Sequence, residues 1–198
     1  MENYQKKLDE IIKTQEGHPK LALHSCCGPC SSYVLEYLKE YFDITLFYYN
    51  PNIYPAEEYE HRLREQLRLC NILQIPAIAC EYRPEIFLDA VKGLEEEPEG
   101  GARCAKCFAL RLDYTASYAQ QRGFLLLTTT LTVSPHKNAQ IINQIGETVA
   151  ERHGIHWLPS DFKKKNGYLR SIQLSQQFEL YRQNYCGCKF SLESRQIK

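Results

Sequence analysis

The sequence predicts an α/β domain built on a largely parallel sheet. Short apolar strands alternate along the chain with helices of about ten residues or more, the pattern of repeated strand–helix–strand units. The 198 residues suffice for one domain with a buried core and no covalent staples. Such units wind right-handed, and ligands bind beyond the carboxyl ends of their strands.

Each element has its own signal. Met1–Gly17 reads as an amphipathic helix, with Leu8, Ile11 and Ile12 on one side. Lys20–His24 is a short apolar strand, followed by a turn over Ser25–Pro29 and a helix from Cys30 to Tyr41. Ile44–Tyr49 is a second strand, ended by Asn50-Pro51. The spacing of Leu63, Leu67, Cys70 and Leu73 predicts a helix over Pro55–Leu73 with those four on its apolar face. Ala77–Glu81 is a strand, Pro84–Val91 a helix, and Lys92–Gly101 a loop rich in Glu, Gly and Pro. Cys104–Gln121 is helical, with Phe108, Leu112, Ala116 and Ala119 facing the core. Phe124–Thr130 is the most strand-like segment, Asn138–His153 a helix, and Ile155–Leu158 a short strand. From Lys163 onward the chain is basic, loop-rich and partly helical. Three informative segments, Ser25–Cys30, Asn50–Tyr54 and Thr128–Asn138, fall at strand ends, where a site is expected.

Composition narrows the chemistry. There is no apolar run of roughly 18 residues, so no membrane span is expected. Met1–Lys20 is polar and lacks a secretory pattern, so a cytoplasmic location is expected, where structural disulfides are rare. Nine cysteines in such a chain call for metal, redox or catalytic chemistry. Cys70 lies in a helix stripe and Cys80 ends a strand, so both read as packed thiols.

The other seven form three clusters. His24-Ser25-Cys26-Cys27-Gly28-Pro29-Cys30 lies on a strand-to-helix turn, where the helix dipole favours thiolate. Arg103-Cys104-Ala105-Lys106-Cys107 opens a helix, with two sulfurs at i, i+3. Tyr185-Cys186-Gly187-Cys188 can close a small, readily reduced disulfide ring. Cys26 or Cys27 with Cys104 and Cys107 suit a zinc site or an iron–sulfur cluster. Adjacent Cys26 and Cys27 favour the wider cluster over one small ion. The Cys-x3-Cys-x2-Cys radical-SAM pattern is absent, because Tyr33 stands at its third position. Cys27-Gly28-Pro29-Cys30 matches the thioredoxin tetrapeptide, but Cys26 replaces the preceding Trp and five further clustered cysteines go unexplained.

The polar residues point to an anionic partner. Thr128–Asn138 sets hydroxyls, His136 and Lys137 just past a strand end, with Pro135 at a helix start. Asp161 suits a metal ligand, a proton donor or a turn cap. The 24 basic and 24 acidic residues cancel, yet Asp161–Lys198 carries eight basic and three acidic side chains. Glu85–Gly101 is correspondingly acidic. Lys163, Lys164, Lys165, Arg170 and Arg182 lie near Tyr168, Phe178, Tyr181 and Tyr185, a mixture that suits phosphate contacts and base stacking.

Taken with Thr129–Asn138, Arg103-Cys104-x-x-Cys107-Phe108 and Tyr181-Arg182-Gln183-x-Tyr185-Cys186-Gly187-Cys188, the first cluster strongly resembles the QueH-type epoxyqueuosine reductases. The likeness runs from about Leu21 to Phe190. It implies a single Rossmann-like three-layer α/β/α domain over residues 1–198, similar to the PP-loop ATP pyrophosphatases, with the C-terminal segment from about residue 161 completing the site. It implies reduction of the epoxide of epoxyqueuosine in tRNA, a [4Fe-4S] cluster and an external electron donor. By motif position Cys26, Cys27, Cys104 and Cys107 would hold the cluster, and Cys186 and Cys188 would be a redox-active pair. A second iron would take Cys30 or Asp161 as ligand, and Asp161 or His136 would supply a proton. The pyrophosphate loop of the PP-loop enzymes is replaced by Ser25–Cys30, which argues against ATP use. The competing functions are an iron–sulfur tRNA thiolase requiring ATP, a zinc-stabilised RNA-binding module and a thioredoxin-like dithiol oxidoreductase.

Overall fold

The computed structural model describes residues 2–196, leaving Met1, Ile197 and Lys198 outside the described residues. Its sheet runs β3 (Ala77–Ala79), β2 (Asp43–Tyr48), β1 (Lys20–His24), β4 (Leu126–Thr129), β5 (His156–Trp157), all pairs parallel. Side chains alternate along each strand. Leu21 and Leu23 of β1, with Ile44, Leu46 and Tyr48 of β2, enter one core. Ala22, Phe47 and Leu127 enter the other. Helices α1 (Tyr4–Thr14), α2 (Gly28–Leu38), α3 (Ala56–Leu73) and α7 (Gly167–Gln177) cover the first face. Helices α5 (Ala102–Gln120) and α6 (Ala139–Arg152) cover the second. Short α4 (Pro84–Ala90) packs on α5, and α8 (Lys189–Gln196) follows the last cysteine pair. No helix among the described residues is long and apolar enough to cross a membrane.

The layered, mostly parallel architecture agrees with the sequence pattern; the differences have local causes. Helix α2 starts at Gly28 rather than Cys30, because Pro29 fits a first helical turn without needing its missing N–H. The strand-like run ends at Thr129, and Thr130–Val133 forms a 3-10 helix capped by the Thr129 side chain, which accepts from Leu131 N. Leu67 of α3 is exposed, and the buried face instead carries Tyr59, Arg62, Gln66, Leu69 and Cys70. Two polar side chains thus replace part of the expected apolar stripe.

Strand order reverses between β1 and β4, which leave in opposite directions across the sheet. A crevice opens at that switch point. The turn after β1 carries Cys26 and Cys27, the first turn of α2 carries Cys30, and the segment after β4 carries His136 and Lys137. Beyond β5 the chain is held by Asn143, whose Oδ1 accepts from Trp157 Nε1 (2.9 Å) and Ser160 N (3.0 Å).

That tether fixes Trp157 against Gly146. A Cβ at Gly146 would lie 2.4 Å from Trp157 Cε2. Alanine gains about 1 kcal/mol of helix preference, while overpacking costs about 1–3 kcal/mol. Gly146→Ala is therefore expected to lower stability by roughly 1 kcal/mol, read as a reduced midpoint in urea unfolding.

Candidate active site

The turn after β1 is built by hydrogen bonds. Ser25 N donates to Phe47 O (2.9 Å), and Asn50 Nδ2 donates to Ser25 O (2.8 Å). The Ser25 and Ser31 hydroxyls lie 2.7 and 2.8 Å from Gln66 Oε1. Helix α2 begins at once, so Cys27 is its capping residue and Cys30 sits in its first turn. The Sγ atoms of Cys26, Cys27 and Cys30 consequently fall within 4.8 Å of one another. Hydrogen bonds from the Cys27 and Cys30 thiols, aided by the charge on Lys137, hold Cys26 well below the usual thiol range. The Cys26 contact pushes Cys27 up to about 11 against the opposing effect of Cys30, and Cys26 and Cys27 together push Cys30 well above its ordinary value. The trio therefore titrates as one coupled group in which the thiolate is favoured at Cys26.

These sulfurs line a cavity of about 440 Å³, together with Lys137, Arg182 and Cys186. A smaller neighbouring pocket is lined by Cys104, Lys137 and Cys186. Cys107 and Cys188 lie buried behind it against Phe87 and Val91, and burial pushes their thiols up to about 12 and about 11. All nine cysteines are free thiols. The three clusters border adjoining pockets, but among the described residues only the sulfurs of Cys26, Cys27 and Cys30 lie close enough together to share a metal ion; Cys104 and Cys107, expected beside Cys26 and Cys27, do not join that trio.

The Cys186 loop is clamped from several sides. Arg62 donates to Cys186 O (3.2 Å) and is itself held by Glu58 Oε1 (2.7 Å). Tyr54 N donates to Gly187 O (2.8 Å), and Tyr185 Oη to Tyr54 O (2.5 Å). Gln183 Nε2 donates to Cys27 Sγ (3.0 Å), joining the loop to the first cluster. Gly187 has φ +123°, and a Cβ there would lie 2.9 Å from Arg62 Nη1. Glycine between the two cysteines is thus a steric requirement.

Among the described residues the buried charged side chains are all cationic, and Lys137 is half-buried. Arg111 is 2% exposed; its Nε donates to Cys107 O and its Nη1 to Asn50 Oδ1, both at 3.2 Å. Its Nη2 is buried without a partner. Among the described residues no carboxylate pairs with Arg111 or with Lys137. Burial pulls both cations down, but the neighbouring thiol groups more than offset it and raise them. His24 is fully buried and neutral, held down to about 3 by burial and by Arg111. A buried unpaired cation beside converging thiols is a poor arrangement on its own. It fits an anionic metal–thiolate group.

The substrate-binding candidates divide. His136, Lys137 and Arg182 line the cavity. Lys163, Lys165 and Arg170 are instead ion-paired with Asp161 (2.6 Å), Asp9 (2.6 Å) and Glu36 (2.8 Å). Lys164 is exposed and, like Asp161, not among the lining residues. Sequence reading missed Arg62, Gln66, Arg111 and Gln183. The spacing of four that puts Arg62, Gln66 and Cys70 on one helical face, and Arg111 one turn after Cys107, was the available signal.

Fold and site define a parallel α/β protein that gathers thiols and cations at its topological switch point. A family model described as epoxyqueuosine reductase QueH matches residues 21–194. A protein from Staphylococcus epidermidis named epoxyqueuosine reductase QueH is 44% identical, over 96% of this chain and 84% of its own length. One of the same name from Thermotoga maritima is 36% identical, over 89% of this chain and 92% of its own. The chain belongs to the epoxyqueuosine reductase QueH family. In fold it resembles the U34-tRNA thiolase NcsA from Methanococcus maripaludis, a structure described with its [4Fe-4S] cluster, with TM-score 0.59 and 13% identity over 98% of this chain and 70% of that one. That likeness agrees with the expected similarity to PP-loop enzymes.

Two outcomes follow from the local geometry. In metal-free protein at neutral pH, iodoacetamide should label Cys26 ahead of Cys27 and Cys30, because Cys26 is where the coupled trio favours a thiolate; peptide mass spectrometry reads the order. Gly187→Ala strains the loop by about 1–3 kcal/mol, so buried Cys188 should react with a thiol reagent roughly ten times faster or more. Unchanged Cys188 kinetics would show that the loop tolerates a side chain.

Proposed function

We propose that this chain reduces the epoxide of epoxyqueuosine in tRNA to the alkene of queuosine, using an iron–sulfur cluster held at the thiol-lined cavity. The observation that carries the reading is the placing of three cysteine clusters around adjoining pockets, beside a buried arginine that lacks a carboxylate. Family membership supplies the substrate, and the thiols and cations supply the chemistry.

Cys26, Cys27, Cys104 and Cys107 are the cluster ligands in this reading. Cys30 is the donor left over for an additional iron. When bound, the cluster supplies electrons singly, and it draws them from an external donor. Reduction needs two electrons and two protons, and the epoxide oxygen leaves as water while the carbon–carbon double bond forms. His136 and Lys137, on the cavity wall, position and protonate that oxygen. Asp161, expected as a proton donor, is paired with Lys163 and does not line the cavity, so His136 and Lys137 take that part in this reading. Cys186 and Cys188 act as a dithiol that can hold the two electrons in transit, closing to a disulfide when it gives them up and being reopened by two electrons from the same external donor. Arg182, with Arg195 nearby on the wall, binds tRNA phosphates. The segment from residue 161 onward thereby completes the site.

Anaerobic reconstitution tests the reading. Iron and sulfide analysis should give about four irons with a broad absorption near ~400 nm, and an iron-to-sulfide ratio above one would report the extra iron. The protein should then convert an epoxyqueuosine-containing anticodon stem-loop without ATP, scored by nucleoside mass spectrometry. Colourless zinc-bound protein, or an ATP requirement, would sink the proposal. Cys104→Ala should lose the cluster and Cys70→Ala keep it. Cys186→Ser should keep the absorption and lose turnover.

The ion pairs refine the RNA prediction. Arg182→Glu should weaken tRNA binding and reduce the salt slope by roughly 1. Lys165→Glu, at a residue already paired with Asp9, should have the smaller effect; fluorescence titration at several salt concentrations compares them.

A further inference from the structure

Resting on the cluster reading above, we propose that Arg111 is the fixed counter-charge of the metal–thiolate centre and sets its reduction potential. Arg111 leaves α5 one turn after Cys107, and its Nε donates to the Cys107 carbonyl. Its Nη1 is fixed on Asn50 Oδ1, which orients the guanidinium plane. The remaining Nη2 is buried and unsatisfied. The groups that bear on the guanidinium once they are ionised or metal-bound are the thiols of Cys107, Cys186, Cys26 and Cys104, one or more from each cysteine cluster. No carboxylate among the described residues is paired with it.

The chemistry follows from charge. A guanidinium cannot escape burial by losing its proton, because its pKa stays far above neutral. Without an anion nearby the group opposes folding. Reduction adds negative charge to the centre, and a fixed cation beside it favours that form and raises the potential. Lys137 is the other candidate cation, but it is only half-buried on a flexible stem. Arg111 acts on the centre through space and touches no substrate, so it is a positioning residue in the electrostatic sense.

A purely bracing role for Arg111 predicts the opposite results. Its two hydrogen bonds tie α5 to Asn50, so their loss would destabilise the metal-free chain and leave the potential alone. The test compares wild type with Arg111→Met, which keeps the apolar stem, and Arg111→Lys, which keeps the charge. Metal-free Arg111→Met should unfold in urea at a midpoint no lower than wild type. Once reconstituted, it should show a reduction equilibrium shifted about tenfold toward the oxidised form, which is about 59 mV for one electron, by spectroelectrochemistry. Arg111→Lys should fall between the two. If Arg111→Met stays folded yet cannot hold iron, the counter-charge is supported and Arg111→Lys supplies the potential. An unchanged potential, or a lower metal-free midpoint for Arg111→Met, overturns the proposal. A wild-type chain that takes up no iron overturns the cluster reading beneath it; the metal-free midpoints then decide whether Arg111 is an uncompensated charge.

Discussion

The carboxamide of Asn50 joins parts of the chain that are far apart in sequence. Its Nδ2 donates to Ser25 O at 2.8 Å, fixing the turn after β1, and its Oδ1 accepts from Arg111 at 3.2 Å, fixing α5. Asn50 itself lies two residues past the end of β2, and it is 1% exposed. The first two cysteine clusters are therefore registered on each other through one buried side chain that uses both ends. The bond to Ser25 keeps a buried carbonyl satisfied, whereas the bond to Arg111 also carries the cost of a buried charge, so the two ends of the carboxamide differ in what they contribute to the metal-free fold. Gln66 plays the matching part on the other side, where its oxygen faces the Ser25 and Ser31 hydroxyls and its nitrogen reaches Cys70 Sγ at 3.4 Å. That contact gives Cys70 a structural task.

The same economy governs charge. His24 lies between Thr129 Oγ1 (2.8 Å) and Tyr49 O (3.3 Å). A carbonyl can only accept, so Nε2 carries the proton, and Nδ1 accepts from the Thr129 hydroxyl, which in turn accepts from Leu131 N at 3.2 Å. The imidazole is thereby a neutral spacer in the row of side chains beneath the turn. Positive charge at the site is left to Arg111, Lys137 and the rim arginines. Thiolate formation is favoured at Cys26, where hydrogen bonds from the Cys27 and Cys30 thiols act first and the charge on Lys137 adds to them.

Much of this was legible in the chain. Every strand, and every helix as far as α6, follows from apolar periodicity bounded by Gly, Pro and Asn, because the parallel sheet buries both faces and demands it. The cysteine clusters and the switch-point location were legible for the same reason. Arg62, Gln66 and Arg111 were not, since periodicity assigns polar residues to the solvent face and only the site's own needs bury them. The 3-10 turn at Thr130–Val133 was hidden by β-branched residues that extend the strand pattern. In the C-terminal region, charge composition marked Lys163, Lys165 and Arg170 as a patch, but composition carries no information about partners. Each of the three is matched with a carboxylate from a distant or neighbouring turn.

Those matched pairs alter what zero net charge means for a polyanionic partner. Exposed pairs such as Arg170 with Glu36 contribute only about 0–1 kcal/mol, so they neutralise the outer surface without adding much rigidity. Among the described residues, cations without a carboxylate occur both on the outer surface, as at Lys164, and on the cavity wall, as at Arg182 and Lys137. The surface cations contribute a long-range field that holds a nucleic acid in any register. The wall cations add a local term that favours the pose bringing a nucleotide to the cavity, and that term contributes selectivity before any base is read.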